Sequence, residues 1–523
     1  MFAGIGEIDW TDENGVHWRG SSSWPVIFVI GRYEGRTLLL IDTFRFFFGS
    51  LASVCRDLKI PQGKLERPPC IAENRAPTDE EKPYFLEYGL QDARCVREIL
   101  KWLVHIWERE DVGPCISIAH QAGRLFRRNH TRIADKIRGL DATDHFGQLG
   151  GIEAYHGGRN SVTGFPEGDE PMIVEGCAMY DVRSMYPWLC SDILPPYLGG
   201  RWVWSDSPKL EGAGLYRLFG TVEKGDAWPY QLLMSPEGEL LEPGDELGGT
   251  WVTGFEIESA LRHNMISGHR FSGYKWEKGE DTKKRHPFRE YFSWVFAEKE
   301  KARDVQPALY LYYKYLANSL TGKFVATIPQ MRMEDGNLSK YRMPGALFNA
   351  PVGAAITGAG RAYLFEQELR SSSVHGATDS MVVPPWGMRP GNVGPGLGQW
   401  ELVVEGLFVC GRNKLYAFLG EPKGKFTGTI TAKGKKYTTE QSVPEEERKG
   451  AKKYWQGREI LKYATHAFQG SVFGFLEMVF GGQRTYSYKR MVQLREASRR
   501  ASLRPLQMQT FEGTLKLGGK YRR

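Results

Sequence analysis

The sequence predicts an α+β protein of several domains, and three observations lead there. Short runs rich in β-branched and aromatic residues occur near the N-terminus and again through the middle of the chain. Long helical segments stand apart from them, at Tyr84 to Trp107, Pro287 to Arg303 and Pro307 to Leu320. The 523 residues, of ordinary apolar content, are also more than one core holds.

In order along the chain, residues 1–42 alternate apolar and polar positions. Trp24 to Ile30 and Thr37 to Ile41 read as strands around the turn Tyr33-Glu34-Gly35. The stretch Asp42 to Leu51 then leads into a helix through Leu58. The helix Tyr84 to Trp107 sets Tyr88 and Asp92, four residues apart, on one face. A Gly-rich connection follows, Gly147-Gln148-Leu149-Gly150-Gly151, and then the loop Tyr155-His156-Gly157-Gly158-Arg159. Consecutive glycines let a backbone come close to a phosphate.

Pro171 to Val174 has a strand's composition and leads to Met179-Tyr180-Asp181-Val182-Arg183-Ser184-Met185-Tyr186-Pro187, where Pro stops extension. An acidic residue at a strand end, before a turn with exposed N–H groups, suits a metal and a phosphate chain. A bland surface strand could also end this way. Thr250 to Leu261 reads as a strand running into a helix. In the second member of the later helix pair, Lys314 and Asn318 share a face, and the helix stops at Gly322. A cation and an amide on one face suit a triphosphate. Residues 327–350, with the turn Glu334-Asp335-Gly336-Asn337, read as a β-hairpin. His375 to Val383 is a turn carrying Asp379 that leads into a strand, residues 397–440 contain further strands, and the tail from about Val443 is basic.

The net charge of +7 suits a polyanionic partner. Seven scattered Cys with no C-x-x-C pair argue against structural zinc and against a disulfide framework, which fits a reducing cytoplasm. No apolar run of about 18 residues is present to span a membrane, and the N-terminus lacks the pattern of a signal peptide.

Three stretches resemble motifs A, B and C of the family B DNA polymerases: Asp181 to Pro187, Lys314 to Gly322 and Ala377 to Ser380. Their patterns are D-x-x-S-[LM]-Y-P, K-x-x-x-N-S-x-x-G and x-T-D-S. Tyr155-His156-Gly157-Gly158 resembles the Y-x-G-G loop between exonuclease and polymerase domains, and Lys414-Leu415-Tyr416 resembles the K-x-Y motif near the primer terminus. The run Pro351 to Ala359 is similar to the segment before motif C in the protein-primed branch, found in small podophages and linear plasmids.

The resemblance implies a right-hand polymerase: a palm with an antiparallel sheet, helical fingers and a small thumb. A truncated ribonuclease H-like exonuclease-type domain precedes it. The implied boundaries are 1–142 for that first domain, 143–170 for the linker with its loop, and 171–266 for the palm carrying motif A. Then come 267–286 as an insertion resembling the priming-protein region, 287–324 as fingers, 325–350 as a hairpin insertion, 351–440 as palm again and 441–523 as thumb.

It also implies roles. Asp181 and Asp379 would be the catalytic, metal-bridging carboxylates, with the carbonyl of Val182 completing one of two Mg²⁺ or Mn²⁺ sites. The incoming dNTP would be held by Ser184, Met185, Tyr186, Lys314 and Asn318, with Lys299 and Arg303 behind them. Template and primer DNA would meet Tyr155, Gly157, Gly158, Ser319, Gly322, Thr378, Lys414 and Tyr416. A terminal priming protein is a further implied partner, and the protein would act as a monomer.

Three departures qualify these expectations. Tyr88 and Asp92 match the third exonuclease motif, Y-x-x-x-D, but the D-x-E strand and the second motif are missing. A two-metal nuclease needs carboxylates from three places, so this domain is expected to be inactive and to serve as structural support. Ala377 stands where the family carries another Asp, and Thr321 where motif B carries Tyr. These leave open a weakened or non-catalytic nucleic-acid binder, and an enzyme with relaxed primer or sugar requirements.

Overall fold

A computed structural model describes residues 7–21, 28–47, 49–128, 139–163, 172–279, 286–334, 337–412, 415–422, 429–432, 435–438, 460–463, 484–492 and 507–515. The chain forms two compact units, Met1–Gly139 with Arg285–Leu347, and Leu140–Lys284 with Phe348–Arg523.

The first unit opens with an antiparallel meander, β1 (Glu7–Thr11), β2 (His17–Ser21), β3 (Phe28–Tyr33) and β4 (Arg36–Ile41), paired in sequence order. Asp12 shapes its first turn, where one carboxylate oxygen accepts from the amides of Asn14 and Val16 and the other from Trp18 Nε1. The expected strand from Trp24 falls partly outside the described residues. The stretch from Asp42 holds a short helical turn, α1 (Phe44–Phe47), and leads as expected into a helix, α2 (Leu51–Asp57), which Ser50 caps. After α3 (Pro69–Ala72), α4 (Lys82–Arg109) buries Cys95, Ile99, Leu103, Ile106 and Trp107 at helical spacing, and α5 (Ile118–Arg128) follows.

The second unit begins with α6 (His145–Ala154), capped by Asp144, which accepts from the Gly147 amide at 2.8 Å and from the Tyr274 hydroxyl at 2.7 Å. The stretch expected as a Gly-rich connection is therefore helical. Its glycines serve close packing: a Cβ on Gly150 would lie 2.5 Å from the Trp251 ring, and one on Gly151 would lie 2.4 Å from the Pro351 nitrogen. Next come β5 (Asn160–Val162), β6 (Met172–Val182), α7 (Met185–Trp188), β7 (Gly200–Ser205), β8 (Leu215–Val222), β9 (Glu246–Thr253), α8 (Gly254–Arg262) and β10 (Ile266–Lys278). One sheet has the order β7-β10-β8-β9. Most of the segment expected as an insertion, from Ser267 on, is thus a strand hydrogen-bonded on both edges.

The chain then returns to the first unit with α9 (Pro287–Ala302) and α10 (Pro307–Thr321), each opened by Pro at its first turn. The hairpin β11 (Thr327–Glu334) and β12 (Asn337–Pro344) is in continuous register. Aromatic side chains join this pair to the N-terminal helices. Trp102 of α4 lies edge-on to Tyr312 at 5.6 Å, and Phe126 of α5 stacks on Phe288 at 5.6 Å. Tyr313 donates to Glu110 at 2.8 Å.

In the second unit, α11 (Ala350–Arg370) is buried on nearly every side, so its small residues matter. A Cβ on Gly358 would sit 2.3 Å from the Thr253 hydroxyl. Two buried ion pairs anchor the helix, Arg361 to Glu256 at 2.8 Å and Arg159 to Glu368 at 2.7 Å. The remaining strands are β13 (His375–Ala377), β14 (Ser380–Val383), β15 (Trp400–Arg412), β16 (Leu415–Pro422), β17 (Thr429–Ala432), β18 (Lys435–Thr438), β19 (Ile460–Tyr463), β20 (Arg484–Val492) and β21 (Gln507–Leu515). A seven-stranded sheet of order β19-β16-β15-β6-β14-β13-β5 dominates the unit. One face buries Tyr180, Val182, Met381 and Trp400 against α7 and α11; the other buries Met179, Val382, Phe408 and Tyr416.

Candidate active site

Strand register brings the two aspartates together. β14 runs antiparallel to β6 with Ser380 opposite Asp181. Asp379 ends the two-residue turn Thr378-Asp379 between β13 and β14, and its backbone oxygen accepts from the Val182 amide at 2.7 Å. The turn needs Thr378 at φ +65°. On the other flank of β6, β15 sets Glu401 opposite Asp181, while β5 sets Asn160 opposite Ala377. One rank across five strands therefore reads Asn160, Ala377, Ser380, Asp181, Glu401. Directly opposed residues share a face, so these side chains stand on one side of the sheet.

Tyr416 stands on the same side, buried, with the His375 ring 4.6 Å away. Burial raises its phenol pKa, and the negative charges of Asp181 and Asp379 raise it further. Its expected neighbour Lys414 lies outside the described residues.

Beyond Asp181 the chain turns sharply. Arg183 donates its amide to Gln399 and accepts from the Gly398 amide, both at 2.9 Å, and its guanidinium pairs with Glu401 at 2.8 Å. Ser184, left-handed at φ 52°, caps α7, which carries Met185 and the half-buried Tyr186. The Y-x-G-G loop presses on this turn. A Cβ on Gly158 would lie 2.7 Å from both the Thr378 methyl and the Tyr186 hydroxyl. The Thr378 amide donates to Arg159 O at 2.6 Å, and Arg361 donates to the carbonyls of His156 at 2.8 Å and Gly157 at 3.2 Å. Burial, with Arg361 beside it, depresses the His156 pKa to about 3, so that ring stays neutral. Tyr155 is partly buried against the core that holds Trp251 and Ala354. Gly158 thus serves a close approach of protein to protein.

Oxygen donors of this kind suit Mg²⁺, which takes one or two carboxylates plus substrate phosphate. No cluster of three or more His, Cys, Asp and Glu that could hold a metal occurs among the described residues. The buried Oδ1 of Asn160 accepts no hydrogen bond. Two aspartates, with an unused amide oxygen on the strand next to the Asp379 turn, fit a divalent ion that brings its own waters and phosphate.

In the first unit, Lys314 and Asn318 are exposed on α10, Ser319 is half-buried, and Thr321 donates its hydroxyl to Asn318 O at 2.8 Å. Gly322 keeps right-handed angles and continues into a 3₁₀ turn, Gly322–Val325, rather than ending the helix abruptly. The basic end of α9 differs from a solvated cluster. Lys301 is 72% exposed and pairs with Glu298, but Lys299 is buried, 3.3 Å from Glu300 and over the Phe296 ring. Arg303 grips the same Glu300 through two contacts of 2.7 Å. Burial lowers the Lys299 pKa to about 8 against the pull of Glu300, with Arg303 and Lys314 adding repulsion.

At the exonuclease-like position, Lys64 lies 2.6 Å from Asp92 and 4.8 Å from the centre of the Tyr88 ring. An ammonium thus pairs with the carboxylate of Asp92. Lys64, Asn160 and Glu401 were not found from sequence, because each is far along the chain from the residue it meets. Strand register alone reveals the last two.

A family profile described as DNA polymerase type B, organellar and viral, matches residues 70–334, just over half of the chain. Among solved structures, the chain is similar to Phi29 DNA polymerase complexed with primer-template DNA and incoming nucleotide, with a TM-score of 0.62 and 15% identity over 99% of this chain and 87% of that one. It is also similar to Phi29 DNA polymerase complexed with single-stranded DNA, with a TM-score of 0.61 and 16% identity over the same shares. No curated protein sequence matches.

Proposed function

The chain belongs to the organellar and viral type B DNA polymerases and is a template-directed DNA polymerase; from that premise we propose how its residues carry the reaction. The observation that supports the reading is the register that sets Asp181 beside the turn of Asp379. When bound, two divalent ions activate the primer 3′-hydroxyl and neutralise the leaving pyrophosphate. Asp181 and Asp379 hold those ions, with the Val182 carbonyl beside them. The Ser184 and Met185 amides, Lys314 and Asn318 bind the triphosphate, with Lys299 and Arg303 supporting the charge. Tyr186 stacks under the sugar and excludes a 2′-hydroxyl. Tyr155, Gly157, Gly158, Ser319, Gly322, Thr378, Lys414 and Tyr416 guide template and primer.

The resemblance of Pro351 to Ala359 to the protein-primed branch supports priming by a terminal protein, which residues 267–286 would contact. The β11–β12 hairpin would displace the non-template strand. Primer extension tests the reaction: dNTP with Mg²⁺ and template should give full extension, and NTP or omission of template should give little. Equal use of NTP would remove Tyr186 from its role, and extension without template would contradict the reading.

A further inference from the structure

The rank Asn160, Ala377, Ser380, Asp181, Glu401 holds one polar atom that the protein around it does not use. Asn160 is 6% exposed. Its Nδ2 donates to Gly158 O at 2.7 Å. That acceptor is a carbonyl, so the amide group must face it, which fixes Oδ1 on the other side. There Oδ1 is buried and accepts no hydrogen bond. Its cross-strand neighbour is Ala377, which has no donor to offer. The next hydroxyl in the rank, Ser380, donates elsewhere, to Ala377 O at 3.2 Å. Buried polar atoms are almost always satisfied, and an exception calls for an unseen partner. The oxygen stands on the sheet face of Asp181, one strand from the turn that ends in Asp379.

We propose that Asn160 Oδ1 belongs to the divalent-ion site and accepts a hydrogen bond from a water carried by the bound ion. This rests on the two-ion reading given above. Mg²⁺ keeps several of its waters in protein sites, and hydrogen bonds to that outer shell tune affinity. A neutral amide oxygen orients such a water without adding negative charge near a triphosphate. It also fits the apolar Ala377, since the polar atom for that part of the rank comes from the next strand. Asn160 is then a positioning residue with two separable parts: Nδ2 braces the Gly158 loop and Oδ1 serves the ion.

Two readouts test this, Mn²⁺ binding by the free protein, followed by the electron paramagnetic signal of unbound Mn²⁺, and single-turnover incorporation across a Mg²⁺ series. Asn160→Asp keeps the oxygen and loses the Nδ2 donor, whereas Asn160→Ala loses both. Asn160→Ala is expected to weaken Mn²⁺ binding about tenfold and to raise the Mg²⁺ needed for half-maximal rate by a similar factor. Asn160→Asp should bind Mn²⁺ at least as well as the parent. Adding Ala377→Asp to Asn160→Ala should recover most of the loss, which a loop brace would not allow. If Asn160→Ala does not fold, Asn160→Ser withdraws the oxygen and takes its place. Parental Mn²⁺ affinity in Asn160→Ala, equal loss in Asn160→Asp, or no recovery in the double variant would each overturn the proposal. Asp181→Asn separates the two levels. If it too leaves Mn²⁺ binding and incorporation unchanged, the two-ion reading has failed; if it abolishes both while Asn160→Ala is silent, only the role of Asn160 has failed.

Discussion

Single side chains set what each proposed site can do. Asp92, proposed as the remnant of an exonuclease motif, is paired with Lys64 at 2.6 Å. Removing that lysine does not supply the missing carboxylates, so neither the parent nor Lys64→Met should shorten a labelled single strand with Mg²⁺. Metal-dependent shortening that disappears in Asp92→Ala would contradict this. That Asp181 and Asp379 belong to one site was an expectation from short motif spacings, and the strand register sets them side by side. Glu401 and Asn160 were not legible in the sequence, because a Glu at the start of one strand and an Asn at the start of another carry no signal until the strands pair.

Among elements, the helices were the easiest to read. Pro287 and Pro307 mark both starts, and the observed ends at Ala302 and Thr321 lie one residue from those expected. The glycines of α6 misled, since helix interiors disfavour Gly and nothing local announces that Trp251 and Pro351 press against them. α9 carries a pH-dependent charge. Lys299, with its pKa lowered to about 8, is protonated below that pH and neutral above it. In the unfolded chain it stays protonated to its usual pKa near 10.5. The folded state therefore binds fewer protons between about 8 and 10.5, and stability contributed by this group rises with pH through that window. Nucleotide binding should run the other way. KM for dNTP is expected to rise about tenfold from pH 7 to 9, the worth of one charge-assisted contact of ~1.4 kcal/mol. Lys299→Arg, charged throughout, should flatten that rise; an unchanged profile in this variant would exclude Lys299 from triphosphate binding.

At the scale of the molecule, the N-terminal helices pack on α9 and α10 through Trp102, Phe126 and Glu110. This packing gives the first domain a physical reason to persist. In the second unit, the sheet holds β6 and β14 between α11 and the core around Phe408 and Tyr416. The central claim is that this sheet does nucleotidyl transfer through Asp181 and Asp379. Its most direct test is single-turnover incorporation by Asp181→Asn, with DNA binding measured on the same preparation. Phosphate contacts carry most of the affinity for DNA, so binding should stay within about threefold of the parent. The rate should fall at least a thousandfold, about 4 kcal/mol of transition-state stabilisation. A variant that extends primer at a near-parental rate would contradict the assignment.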